Sequence, residues 1–127
     1  MCIRDRAWDV FADGIPSNLS PTTVSLWLED PTGTIVDAAL FLQSGSSPNS
    51  AGLTGAETIR AAGQWTDPGS PYDATSYEAN AVPFDAANDS AASPSVQRSS
   101  NEDTNAASDW GTAASTWGTL NVGQTNL

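Results

Sequence analysis

Histidine and lysine are absent from this 127-residue chain, and its single cysteine, Cys2, stands beside the N-terminus, so carboxylates carry nearly all of its acid-base capacity. Nucleophiles activated by imidazole, and metal centres built on imidazole, are excluded within the sequence. Glycoside hydrolysis remains conceivable, because it needs two carboxyl groups across a cleft with one of them held protonated. The chain has 15 acids, so pairs arise by chance, and most lie in Asn-, Ser- and Gly-rich stretches where water solvates a carboxylate. The chain is therefore expected not to be an enzyme.

Three further residue sets could bind. Asn101, Asp103 and Asn105 stand at alternate positions, a spacing that lets side-chain oxygens converge on calcium. The sixth position is Ala106 and the twelfth Thr112, where an EF-hand needs Gly and Glu. The plainer reading is a polar turn whose side chains bond their own backbone, leaving no cofactor, with calcium as the alternative. Trp27 is a candidate binding residue, because it lies on the face of its strand opposite Val24 and Leu28. Three other tryptophans, Trp65, Trp110 and Trp117, are expected in the core rather than on a carbohydrate-stacking platform. Arg98, amid many acids, is expected to pair with Asp103 or Asp109.

The segments that must position these residues are few. Thr23-Val24-Ser25-Leu26-Trp27-Leu28-Glu29 alternates as a strand does, with Val24, Leu26 and Leu28 on its apolar face. Asp30-Pro31-Thr32-Gly33 is a turn, and residues 34–42 form the returning strand of a β-hairpin. A loop over residues 43–52 precedes Thr54-Gly55-Ala56-Glu57, whose capping-box spacing predicts a short helix over residues 55–62, stopped at Gly63. Periodicity then fails over residues 64–93, which are expected to pack poorly, apart from a short strand around residues 79–84. Pro94-Ser95-Val96-Gln97-Arg98-Ser99 reads as an edge strand.

Composition leaves order and disorder in competition. Leu, Ile, Val and Phe supply only about 17% of residues, yet five tryptophans and the alternating runs argue for a core. A formal charge of −11 repels phosphate backbones and anionic headgroups, so nucleic acid is not an expected partner. Membrane insertion is not expected either, since no apolar stretch reaches spanning length. Residues 1–6 hold half of the basic residues and the cysteine, and they resemble a translated sequencing-adaptor scar at a broken end. On that reading a non-native leader precedes a chain truncated at its start. Two sequons, at Asn18 and Asn88, are expected by chance in so Ser-rich a sequence.

The last third resembles the closing segment of the lamin tail domain, an immunoglobulin-like β-sandwich found in nuclear lamins and in bacterial exported proteins. Ser95-Val96-Gln97-Arg98 is similar to that family's strand ending in Arg, Asp103-Thr104-Asn105 to its acidic turn, and Asp109-Trp110 to its buried Trp. Thr116 to Asn121 resembles its terminal motif, with Trp117 replacing a common Pro, and the hairpin over residues 24–41 resembles its central one. The family's opening Glu-Leu-x-Asn and Gly-Trp elements are missing.

The resemblance implies an all-β, incomplete immunoglobulin-like β-sandwich with one short helix in an insertion. Residues 7–22 would be a remnant of upstream strands or a linker, 23–121 the sandwich with its insertion at about 43–93, and 122–127 a linker. Leu26, Leu40 and Trp110 should then share one two-layer assembly with an unpaired edge. The implied role is that of a non-catalytic accessory domain of an exported bacterial protein, acting outside the cell or at its surface as a spacer, adhesion or substrate-tethering module. Partners would be other domains of the parent chain and an unknown protein, cell-surface or carbohydrate ligand. The alternatives are the edge of a secreted hydrolase domain whose catalytic half is missing, and a calcium-dependent adhesion module.

Overall fold

The computed structural model describes residues 22–84, 94–114, 119–121 and 123–125. The predicted hairpin is present, with β1 (Thr23–Glu29) antiparallel to β2 (Ile35–Gln43) and a register irregularity between Leu28 and Glu29. Its turn is built by Asp30, whose Oδ1 accepts from the Thr32 hydroxyl at 2.6 Å and from the amides of Thr32 and Thr34 at 2.8 and 3.0 Å. Gly33 follows at φ 84°, in the left-handed region that favours glycine.

Beyond the hairpin the insertion holds two helices where one was expected. Helix α1 (Ser50–Ala61) and helix α2 (Ala74–Asn80) come before β3 (Val82–Phe84), which pairs with β2 in parallel. Two parallel neighbours cannot be joined by a tight turn, so the α1–α2 segment is their crossover. Helix α1 begins five residues earlier than predicted, because Asn49 caps it by accepting from the Gly52 amide at 2.8 Å. Thr54 and Glu57 form no capping box, since the Thr54 hydroxyl donates to the Ser50 carbonyl and Glu57 binds Arg60 and the Tyr72 amide. The capping box lies instead at α2, between Asp73 and Ser76.

Helix α1 buries Gly52, Gly55, Ala56 and Ile59, a spacing of three, four and seven residues that makes one face. That face lies so close to β1 that a Cβ built on Gly52 or Gly55 would fall 2.2 Å from the Thr23 methyl or 2.6 Å from Ser25 Cβ. The helices thus cover the Thr23–Ser25 face of the sheet. The apolar face of β1 is not the covered one, since Leu26 and Leu28 are 49% and 41% exposed. Leu40, by contrast, is completely buried.

The stretch expected to pack poorly supplies much of the core. Trp65, Tyr72, Tyr77, Ala81 and Val82 are all buried and join Leu40, Leu42, Ala56 and Ile59 in one cluster. Tyr77 is fully buried, and its hydroxyl lies 3.1 Å from the Val24 carbonyl and 3.3 Å from the Ser25 hydroxyl, which itself donates to the Gly52 carbonyl. Burial raises the Tyr77 pKa, with the Ser25 bond opposing, and raises that of Tyr72 to about 12. The Trp65 indole donates to the Asn80 carbonyl at 2.9 Å, and the Tyr72 hydroxyl to the Thr66 carbonyl at 2.6 Å.

A second, two-stranded sheet follows, with β4 (Pro94–Arg98) antiparallel to β5 (Trp110–Ala114), entered through a single 3-10 turn at Ala107–Asp109. Trp110 and Val96 pack against the main cluster, and the Trp110 ring meets Phe41 edge-on at 5.5 Å. Strands in two small sheets, with two short helices, describe the architecture.

Candidate functional site

Arg98 is the polar centre of the junction between the sheets. Its Nη2 donates to Asp103 at 3.0 Å and to Asp37 at 3.2 Å, and its Nη1 reaches the Glu102 carbonyl at 3.3 Å. The guanidinium also lies 5.2 Å from the Trp110 ring centroid. A planar cation with five donors suits this combination of fork and stacking. Of the two partners expected from the sequence, Asp103 is bonded to Arg98 and Asp109 is not; Asp37, 61 residues away, takes the second place and was not expected. Among the described residues the buried Trp110 Nε1 has no hydrogen-bond partner.

Asp109 has a different task. It is 6% exposed, and it accepts from the Thr104 hydroxyl at 2.7 Å and from the amides of Thr104 and Ala106 at 2.8 and 3.3 Å. Burial opposes ionisation, but those three bonds together with Arg98 outweigh it and lower the Asp109 pKa below 3.8. Its stabilising contribution is therefore complete above the unfolded value and disappears as pH falls through the folded one. Urea unfolding of wild type and Asp109→Asn should show a stability gap near neutral pH that narrows below about pH 4. A gap independent of pH would refute this role.

The three residues of the candidate calcium set turn to different partners. Asn101 bonds Thr125 through both ends of its amide, Asp103 takes Arg98 and the Asn105 amide, and Asn105, at φ 55°, points its amide to the Gly63 carbonyl at 3.5 Å. Among the described residues, no cluster of three or more His, Cys, Asp or Glu is arranged to hold a metal. Thermal melts in calcium and in chelator are expected to share one midpoint, whereas a rise of several degrees with calcium would establish the site.

Trp27 is 38% exposed, and its indole donates to Glu29 Oε1 at 2.9 Å. It sits at the rim of α1, with ring carbon Cζ3 3.8 Å from a Cβ built on Gly55. With Leu26, Leu28 and Val36 (46% exposed) it makes the distal end of the hairpin apolar on both faces. That surface was only partly legible, since the alternation of β1 named Trp27 but put the leucines on the opposite, apolar face. A separate groove of about 280 Å³ lies beside the end of β2 and the start of β3, lined by Leu42, Gln43, Ser44, Ala81 and Pro83 with Glu78 as its charged member.

The remaining carboxylates with shifted proton affinity are likewise engaged in structure. Asp30 is lowered first by the Thr32 hydroxyl, Glu57 by the Arg60 guanidinium at 2.8 Å, and Asp73 by the Ser76 amide. Among the described residues no helix is long and apolar enough to cross a membrane. Trp117, both sequons, residues 1–6 and most of the remnant at 7–22 lie outside the described residues. No family model, curated protein or solved structure matches the chain.

Proposed function

We propose that this chain is a non-catalytic accessory domain of an exported bacterial protein, built as a partial immunoglobulin-like sandwich of the lamin-tail type and serving as a tethering module outside the cell. The observation that carries the reading is the use made of four of its described acids. Asp30, Asp73 and Asp109 hold turns or helix starts, Glu57 pins a loop, and each of the four is shifted toward its ionised form. A hydrolase needs the reverse, a carboxyl kept protonated to serve as general acid. The resemblance noted in the hairpin and in the Arg98 and Trp110 strands supports the family reading, because these are the elements that meet at the Arg98 junction.

The test is retention without turnover. The purified chain is incubated with insoluble polysaccharides, peptidoglycan and protein-coated beads, and in parallel with chromogenic esters, phosphates and glycosides. Saturable retention on at least one surface, with no substrate turned over, is expected. Turnover abolished by replacing one carboxylate would reject the accessory role in favour of the hydrolase alternative.

A further inference from the structure

We infer that the outer edge of β1 is a docking strand that takes up an extended, basic and apolar segment of a partner protein as an added antiparallel strand. This deepens the tethering role proposed above and rests on it. The first support is the hydrogen-bond register. The Gln43 amide donates to the Thr22 carbonyl at 2.8 Å, which makes that pair a hydrogen-bonded rung. Rungs alternate in an antiparallel ladder, so Val24, Leu26 and Leu28 bond β2, while the amides and carbonyls of Ser25 and Trp27 face outward. In the sheet order β1–β2–β3, β1 is an edge, and among the described residues no strand pairs with its outer side. The outward groups of Ser25 and Trp27 are a template for strand addition.

The second support is the surface on either side of that row. On β1 itself Leu26 and Leu28 are exposed on one face and Trp27 on the other, so an incoming strand finds apolar contacts both above and below the sheet. Native edges are usually blunted by Lys, Pro, an inward charge or a bulge; residues 25–28 contain none of these, and the register irregularity lies at their turn end, between Leu28 and Glu29.

Charge then selects the occupant. The turn end of the edge carries Glu29 and Asp30, and the described cations, Arg60 and Arg98, are both held in ion pairs elsewhere. A second copy would set two chains of charge −11 against each other. A segment with Lys or Arg beside Glu29 and Val-like residues opposite Leu28 and Leu26 complements both the charge and the apolar faces.

The probe is fluorescein-labelled Lys-Lys-Val-Thr-Val-Thr-Val-amide, whose first residues fall beside Asp30 and Glu29 in the antiparallel register. Saturable anisotropy should appear with the wild-type chain, weaken about tenfold or more when Glu replaces both Lys, and weaken likewise with L26T/L28T. Both leucines are exposed, so that variant should keep the wild-type circular dichroism. On wild type itself, amide exchange at Ser25 and Trp27 should slow on peptide addition, a readout that does not depend on how the variant folds. Absence of binding up to about 1 mM peptide, binding indifferent to L26T/L28T, or dimers formed through β1 in sedimentation would each overturn the inference. Peptide failure alongside surface retention would discard the edge and leave the accessory role standing. Peptide binding without retention would do the opposite.

Discussion

Replacing Tyr77 with alanine is expected to destabilise the fold by about 3–5 kcal/mol, a large share of what a domain this size possesses. The ring is fully buried between α2 and the sheet, 6.1 Å from Tyr72 in an edge-on pair, and little can collapse into its place. Its hydroxyl fills a second need, because it meets the Val24 and Phe41 carbonyls of one rung of the β1–β2 ladder. Tyr77→Phe keeps the ring and loses those bonds, so it should cost about 1–2 kcal/mol. Urea denaturation followed by tryptophan fluorescence measures both. If Tyr77→Ala unfolded at the wild-type midpoint, the packing of α2 on the sheet would be wrong.

Gly55→Ala should destabilise the chain as well, although alanine in a helix normally gains about 1 kcal/mol over glycine. The new methyl would lie 2.6 Å from Ser25 Cβ and 2.9 Å from its hydroxyl oxygen, and a Cβ cannot swing aside. Relief requires α1 to lift from β1, which would also pull the Ser25 hydroxyl from the Gly52 carbonyl. Overpacking of this kind costs about 1–3 kcal/mol and should reverse the usual sign. Thr58→Ala, on the exposed side of the same helix, supplies the comparison and should leave the melting temperature nearly unchanged. A Gly55→Ala variant that melts above wild type would show that the helix does not sit as close as described.

These two residues also show where the sequence could be read and where it could not. The hairpin was legible because Asp30, Pro31 and Gly33 are local signals, complete within four residues. Alternation in β1 revealed two faces but not which would be covered. Hydrophobicity favoured Val24, Leu26 and Leu28, yet α1 covers Thr23 and Ser25, because glycines at 52 and 55 let a helix approach small side chains whose hydroxyls find partners. That same helix face was hard to see, since Gly and Ala barely register on a scale that rewards large side chains. The core aromatics Trp65, Tyr72 and Tyr77 lacked a period because they sit in loops and a two-turn helix. At the Arg98 junction, Asp103 was near enough in sequence to be named, whereas Asp37 could be found only once the two sheets were placed together.

The parallel pairing of Phe41 with Val82 restricts how this segment can change over evolutionary time. Ordinary surface loops lengthen and shorten freely, but residues 44–81 form a bridge whose two ends belong to neighbouring strands. Removing α2 alone would uncover Leu40 and strand β3 too far from its rung, so piecemeal trimming should be purged. Descendants are expected to keep the bridge entire or to lose it together with β3, leaving a bare hairpin to find another cover.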